Sequence, residues 1–197
     1  MLNERIGPTT ARLAVLGASL PHTWSPYIQN SLFDAAKIDA IYVPITVSSE
    51  RLASAVDVFR SCFAGFNITI PYKEKIIPYL DEIDGAVSAC GVVNTVEIRD
   101  GRMIGHITDG LGMLRAIEEQ GITTKQADVL ILGSGGAARV AGYEFLAKGG
   151  RVTFAVRNKQ KGEELVHELA DTQKDGHHRL SVCSLNDCVG AHDLLIN

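Results

Sequence analysis

Two stretches in the first half of the chain place polar side chains where packing does not require them. The apolar run at residues 65–70 is followed by Pro71 and then by Lys73, so a buried strand delivers a lysine just past its carboxyl end. Asn94 and Asp109 come at the ends of two further strand-like runs. A lysine held by a carboxylate is a couple suited to proton transfer. The spacing also fits a plainer alternative, in which Lys73 is a solvated lysine and Asp109 caps a helix.

A glycine-rich turn follows the apolar run at residues 129–132 and has the spacing Gly133-x-Gly135-x-x-Ala138. In a dinucleotide-binding turn, the first glycine permits a sharp bend and the second lets the backbone approach a pyrophosphate. The helix that follows directs its free N–H groups toward the phosphates. Similar spacing occurs in plain strand–helix junctions, but the apolar strand and the helical pattern around this turn favour a cofactor. The residues expected to contact it are Gly133, Ser134, Gly135, Gly136 and Ala137.

The choice of cofactor is indicated by the residues after the next strand, which ends at Val156. A site for NAD usually has Asp or Glu there to bind the ribose hydroxyls. Here the chain continues with Arg157 and Asn158, and Lys159 and Lys161 follow at the start of the next helix. Because arginine binds phosphate in a bidentate manner, we expect the cationic cluster of Arg157, Lys159 and Lys161 to bind the 2′-phosphate of NADP, and Asn158 to contact the cofactor beside it. The alternative is an ordinary basic helix start.

The elements that must position these residues are predicted from apolar periodicity and from turn residues. In the first half, strands are expected at residues 13–16, 41–47, 66–70, 92–98 and 103–107, with a hairpin turn at 100–101. Helices are expected from Ser25 as N-cap, at 48–62, at 72–80, and from Asp109 to Gly121. In the second half, strands are expected at 129–132, 151–156, 180–184 and 193–197, with helices at 137–147 and 159–170.

This alternation predicts an α/β protein of two domains. Residues 1–109 are expected to form an N-terminal α/β domain. Residues 110–197 are expected to form a doubly wound, Rossmann-type domain with a parallel sheet. The helix that begins at Asp109 is expected to connect the two.

Composition excludes several classes of function. The net charge of −4 argues against a protein that binds nucleic acid by electrostatics. No apolar run is long enough to span a bilayer, and Met1 to Thr10 contain no signal-peptide core, so we expect a cytoplasmic location and no membrane partner.

The cysteines and histidines suggest no metal or redox centre. Cys62, Cys90, Cys183 and Cys188 form no C-x-x-C pair, and we expect reduced thiols in packed positions. The pair His177-His178 lies in a polar stretch without a nearby third ligand, so no metal site is expected.

Four ordered motifs, together with the glycine-rich turn, resemble the shikimate dehydrogenase family of NADP-dependent oxidoreductases. They are PHTWSP at residues 21–26, NITIPYKE at 67–74, VNT at 93–95 and ITDG at 107–110. The resemblance runs from about Leu13 to the last residue. It implies a first domain that binds the substrate and a second domain that binds NADP.

The resemblance also implies roles for individual residues. Lys73 and Asp109 would be the catalytic pair, in which Lys73 shuttles the proton at the oxidised hydroxyl and Asp109 holds the lysine. The substrate carboxylate and hydroxyls would be bound by Thr23, Ser25, Thr69 and Asn94. The implied reaction is reversible hydride transfer between shikimate and 3-dehydroshikimate, a step in the biosynthesis of chorismate and aromatic amino acids.

Two departures from the family pattern leave the substrate open. Thr23 stands where the family has serine, which adds a methyl group to the site, and Ile107 replaces an asparagine. Quinate is therefore an alternative to shikimate. A second alternative is a catalytically silent regulator that binds a cyclic polyol acid or a nucleotide with the same fold.

The last five residues, 193–197, have the pattern of a buried strand. A complete dinucleotide-binding sheet has about six strands, so we expect an incomplete Rossmann-type domain and a fragment that is slow or inactive. Such a fragment is expected to expose the apolar edge at residues 194–196 and to pair through it, which predicts a homodimer or a larger species.

Overall fold

Strands and helices alternate along the chain in the computed structural model, which describes residues 6–173, 175–188 and 190–197. The α/β fold class is confirmed. The chain divides into two units: the first holds residues up to Val87 together with Val92–Ile107, and the second holds Ser88–Gly91 together with Thr108–Asn197. Among the described residues, no helix has the length and apolar character needed to cross a membrane.

The first unit is built on one mixed sheet. Its strands are β1 (Ala11–Gly17), β2 (Ala40–Thr46), β3 (Gly65–Ile68), β4 (Glu82–Ile83), β5 (Thr95–Arg99) and β6 (Arg102–His106), in the order β2-β1-β3-β5-β6-β4. Its helices are α1 (Ser25–Ala36), α2 (Leu52–Cys62) and α3 (Gly85–Cys90), the last of which continues into the second unit. Strand β1 runs parallel to both β2 and β3, whereas β5 runs antiparallel to its two neighbours, β3 and β6.

The centre of this sheet is fixed by the apolar run in β1. Ala14, Val15 and Leu16 are buried, because β1 has a strand on each side and packed layers above and below. In the register of the two parallel strands, Leu16 lies opposite Ile68 of β3. The loops that follow β1 and β3 therefore leave the sheet side by side at one edge.

The hairpin between β5 and β6 confirms the turn predicted at residues 100–101. Asp100 has φ 52° and Gly101 has φ 75°. Two successive residues with positive φ are what the favoured two-residue hairpin turn requires, and Asp-Gly adopts them readily.

The second unit is a parallel sheet with helices between its strands. It contains α4 (Asp109–Glu119), β7 (Asp128–Leu132), α5 (Gly136–Ala147), β8 (Arg151–Val156), α6 (Lys159–Ala170), β9 (Leu180–Ser184) and β10 (Leu194–Ile196). The strand order is β10-β7-β8-β9, and all three pairings are parallel. This order, in which the first strand is central and the chain crosses back to its far side, is the doubly wound arrangement and confirms the prediction.

Several predicted elements of the first unit are wrong in detail. The expected helix at residues 72–80 is absent; the chain forms turns and then a short 3-10 helix at Ile77–Tyr79. Pro78 is the seventh residue of that stretch, and its missing N–H prevents a continuous α-helix. Ser25 is the first residue of α1 rather than its N-cap, which is Trp24. The Ser25 hydroxyl instead accepts a hydrogen bond from Thr23 Oγ1 at 3.3 Å.

The expectation of four reduced, packed cysteines is also wrong. Cys183 and Cys188 form a disulfide with Cα atoms 5.6 Å apart, because the turn at residues 185–187 brings the second cysteine back to the end of β9. Cys62 is exposed, whereas Cys90 is buried as expected. A search for C-x-x-C spacing does not detect a pair separated by five residues.

Gly142 of α5 offers a test of core packing. A Cβ at this position would overlap the ring of Phe154, which is completely buried in the core of the second unit. We expect Gly142→Ala to destabilise the protein by about 1–3 kcal/mol, the usual cost of overpacking. Urea unfolding followed by circular dichroism measures the change.

Gly112 of α4 is the matched control, since a Cβ there meets nothing within 4 Å. Gly112→Ala should stabilise the protein by about 0.5–1 kcal/mol through helix propensity alone. If Gly142→Ala proved as stabilising as the control, the result would contradict the close contact of Gly142 in α5 with Phe154 in β8.

Candidate active site

A cavity of about 330 Å³ lies in the first unit beside the ends of β1 and β3. Its lining includes the three hydroxyl residues predicted to bind substrate, Thr23, Ser25 and Thr69. The backbone N–H of Thr69 donates to the carbonyl of Leu16 at 2.9 Å, which anchors the residue after β3 to the neighbouring strand. The structure therefore brings these three hydroxyls together around one opening.

Lys73 and Asn94 lie on adjoining segments of the same unit. The backbone N–H of Val93 donates to the carbonyl of Lys73 at 2.8 Å. Asn94 is only 7% exposed, and its carbonyl accepts a hydrogen bond from the N–H of Ile68 at 2.8 Å. The backbone contacts thus hold the predicted proton-transfer lysine and the predicted substrate-binding amide next to the end of β3.

Sequence reasoning missed Tyr42 and assigned no individual role to two other polar residues near Asn94, namely Asn67 and Thr95. Their side chains are joined to one another and to Asn94 by hydrogen bonds. Burial raises the pKa of Tyr42 to about 12. The signal that could have identified Asn67 is an amide inside an otherwise apolar strand, because a polar group in such a position needs a partner.

The glycine-rich turn of the second unit has the geometry expected of a phosphate-binding turn. Gly133 has φ 100°, a value that favours glycine, and its N–H donates to the carbonyl of Ala155 at 2.8 Å. A Cβ on Gly133 or on Gly135 would meet nothing within 4 Å, so there is open space in front of the backbone. Helix α5 begins at Gly136 without a side-chain cap. The turn therefore fits a pyrophosphate group, which could bind the first N–H groups of α5.

A second cavity, of about 290 Å³, lies beside this turn and is lined mainly by apolar residues. Asp109, the first residue of α4, lines the cavity together with Ala137 and Ala138 at the start of α5. Gly110 also contributes, and a Cβ there would overlap the Glu144 side chain, which explains how closely α4 approaches α5. Within the second unit, the predicted catalytic carboxylate is thus placed close to the predicted cofactor turn.

The basic cluster follows β8 as predicted. Arg157 is exposed immediately after Val156, and no acidic residue occupies the first turn of α6. Asn158 is the N-cap of α6, and its side-chain oxygen accepts a hydrogen bond from the N–H of Lys161 at 3.1 Å. The Asn158 side chain therefore has a structural role, whereas the cationic side chains of Arg157 and Lys161 are exposed at the carboxyl end of the strand.

These features define an α/β protein with a cavity that carries several hydroxyl groups in one unit and a Rossmann-type dinucleotide-binding fold in the other. A family model described as the shikimate dehydrogenase substrate binding domain matches residues 15–96. The shikimate dehydrogenase (NADP(+)) of Methanococcus maripaludis is 38% identical over 193 residues, which are 98% of this chain and 69% of the relative. The chain belongs to the shikimate dehydrogenase family.

Solved structures agree with this assignment. The shikimate 5-dehydrogenase of Thermus thermophilus, in complex with NADP(H) and shikimate, superposes with a TM-score of 0.80 at 29% identity, covering 88% of this chain and 62% of that one.

The shikimate dehydrogenase (NADP(+)) of Carboxydothermus hydrogenoformans is 37% identical over 171 residues, 86% of this chain. The chain spans 61% of the length of that relative.

Proposed function

We propose that the protein is an NADP-dependent shikimate dehydrogenase, which interconverts shikimate and 3-dehydroshikimate on the route to chorismate and the aromatic amino acids. The observation that carries the proposal is the cavity of the first unit, where Thr23, Ser25 and Thr69 converge. Hydroxyl groups at this opening are suited to a ligand that carries a carboxylate and several hydroxyls. The names of the relatives and the substrate in the Thermus structure support the same assignment.

In the proposed reaction, bound NADP⁺ supplies the acceptor for the hydride that leaves the substrate carbon. Lys73 takes the proton from the hydroxyl on that carbon and returns it in the reverse direction. Asp109 is the second proposed catalytic residue and hydrogen-bonds the substrate. The substrate carboxylate binds the hydroxyls of Thr23 and Ser25, and its ring hydroxyls bind Thr69 and Asn94.

The second unit supplies the proposed NADP site. The open backbone from Gly133 to Ala137, with Ser134 between the two turn glycines, holds the pyrophosphate at the start of α5. Arg157 and Lys161 bind the 2′-phosphate, and Asn158 orders the helix start beside them. A cytoplasmic location, a homodimer and the absence of a nucleic-acid partner stay predictions from the sequence.

A tryptophan beside the proposed substrate-binding hydroxyls provides a fluorescent probe of substrate binding. Trp24 is the only tryptophan in the chain, is 71% exposed, and lies between Thr23 and Ser25. We expect shikimate to change the Trp24 fluorescence with half-saturation in the range of about 1 μM–1 mM, which is usual for enzyme substrates. Ser25→Ala should weaken this binding, and the exposed Ser61→Ala on α2 serves as its control.

The same titration with quinate, and the rate of NADPH formation from either compound, separate the candidate functions. Shikimate binding with NADPH formation supports the dehydrogenase, whereas a preference for quinate supports the alternative substrate. In a catalytically competent protein, binding without turnover would favour a silent sensor. If neither compound altered the fluorescence nor produced NADPH, the proposal would be wrong.

A further inference from the structure

A chain of hydrogen bonds runs through the first unit from Tyr42 to Asn94. The Tyr42 hydroxyl donates to Asn67 Oδ1 at 2.6 Å. Asn67 Nδ2 donates to Thr95 Oγ1 at 3.0 Å and to the Asn94 carbonyl at 3.2 Å. Thr95 Oγ1 then donates to Asn94 Oδ1 at 3.0 Å. Four side chains from β2, β3 and the start of β5 are therefore linked in one direction.

The direction of the chain is fixed by the backbone carbonyl of Asn94, which can only accept, so the atom of Asn67 that faces it is the donor Nδ2. Asn67 Oδ1 therefore faces Tyr42 and accepts a hydrogen bond from its hydroxyl. Burial raises the pKa of Tyr42 to about 12, in keeping with a hydroxyl that acts as a donor. The Thr95 oxygen accepts from Asn67, so its own hydrogen is left for Asn94 Oδ1. Each bond sets the orientation of the next.

The backbone reinforces this arrangement. Asn67 lies opposite Thr95 in the antiparallel register of β3 and β5, so the two side chains are cross-strand neighbours. Asn67 also precedes Thr69, which lines the cavity, by two residues in the same stretch. Asn94, at the end of the chain of bonds, accepts a backbone hydrogen bond from Ile68, the residue before Thr69, so the chain ends next to the segment that carries Thr69.

We propose that Asn67, acting through Thr95, is a positioning residue that fixes the Asn94 amide so that it donates a hydrogen bond to an oxygen atom of the substrate. The proposal rests on the proposed function, which assigns Asn94 to substrate binding. With Asn94 Oδ1 engaged by Thr95, the amide nitrogen is the end that recognises the ligand. Asn94 therefore selects a hydroxyl or carboxylate oxygen that can accept a hydrogen bond.

A double-mutant cycle separates positioning from a merely structural role. Thr95→Val keeps the shape and the strand propensity of the side chain but removes both hydrogen bonds. We expect Thr95→Val to raise the shikimate dissociation constant about tenfold, equivalent to 1.4 kcal/mol, when Trp24 fluorescence is titrated. In an Asn94→Ala background, the same change should have almost no further effect, because its target is gone.

Asn67→Ala is a second test variant, in case Thr95→Val folds poorly. Like Thr95→Val, it should raise the shikimate dissociation constant in the unmodified chain and have almost no further effect in the Asn94→Ala background. The matched control is Thr153→Val, which removes a similar cross-strand hydrogen bond, to Ser181 at 2.8 Å, in the second unit. It should leave shikimate affinity unchanged.

The outcomes distinguish this inference from the function on which it rests. If the unmodified chain failed to bind shikimate, or if Asn94→Ala bound it normally, the assignment of the site would fail and the inference with it. If Asn94→Ala weakened binding but Thr95→Val and Asn67→Ala did not, only the inference would be overturned. Equal losses in both backgrounds would also overturn it, since they would indicate a general structural effect.

Discussion

Replacement of Lys73 by alanine is expected to lower the kcat of shikimate oxidation by at least about 100-fold, the low end of the range for general acid–base catalysis. The affinity for NADP⁺ should remain nearly unchanged. Lys73 belongs to the first unit, whereas the glycine-rich turn and Arg157 belong to the second. Steady-state NADPH formation gives the rate in a catalytically competent protein, and titration calorimetry gives the NADP⁺ affinity.

Two further variants show whether Lys73 acts by proton transfer or by charge alone. Lys73→Arg keeps the positive charge, but a guanidinium group stays protonated and cannot accept a proton, so its kcat should also fall sharply. Lys75→Ala is the matched control, because Lys75 is exposed only two residues away. A Lys73→Ala protein that kept most of its rate would exclude the assigned role. An active Lys73→Arg protein would indicate that Lys73 acts through its positive charge rather than by proton transfer.

The elements of the second unit could be predicted because their signals are local. Residues 151–156 are an apolar run bounded by glycines and by a basic loop, and they form β8 with the predicted limits. The glycine-rich turn was identified from spacing, and Gly133 has the positive φ that such a turn needs. Buried parallel strands and the glycines beside them depend little on distant partners for their sequence pattern.

Other elements could not be predicted because distant contacts create them. Helix α3 has only six residues, too few to show an apolar period, and it begins where Asp84 Oδ1 accepts a hydrogen bond from the N–H of Val87. The two-residue strand β4 exists only through its pairing with β6. Very short elements of this kind have little intrinsic stability and form when the surrounding sheet provides partners.

In the candidate site too, some residues could be predicted from local sequence, whereas others depend on distant contacts. Thr23, Ser25, Thr69, Lys73 and Asn94 belong to motifs that are continuous in sequence, so the family resemblance indicated them directly. The residues that orient them are separated along the chain, as Tyr42 and Asn67 are by 25 positions. No spacing rule connects such residues, and only the parallel and antiparallel register of the sheet places them together.

The last prediction concerns the choice between the two nicotinamide cofactors. Arg157→Ala should raise the dissociation constant of NADP⁺ about 10- to 100-fold and leave that of NAD⁺ nearly unchanged. The two cofactors differ only in the 2′-phosphate, and a hydrogen bond to a charged group contributes about 1.5–3 kcal/mol. Arg157 is exposed at the end of β8, where an NAD site has an acidic residue.

Titration calorimetry with both cofactors at a single salt concentration measures this difference. Arg151→Ala is the matched control, because Arg151 is also exposed but lies at the opposite end of β8. Arg157→Lys should fall between the wild type and Arg157→Ala, because lysine retains the charge but cannot bind phosphate in a bidentate manner. Equal losses for NADP⁺ and NAD⁺ would show that Arg157 supports the fold of this edge rather than recognising the 2′-phosphate.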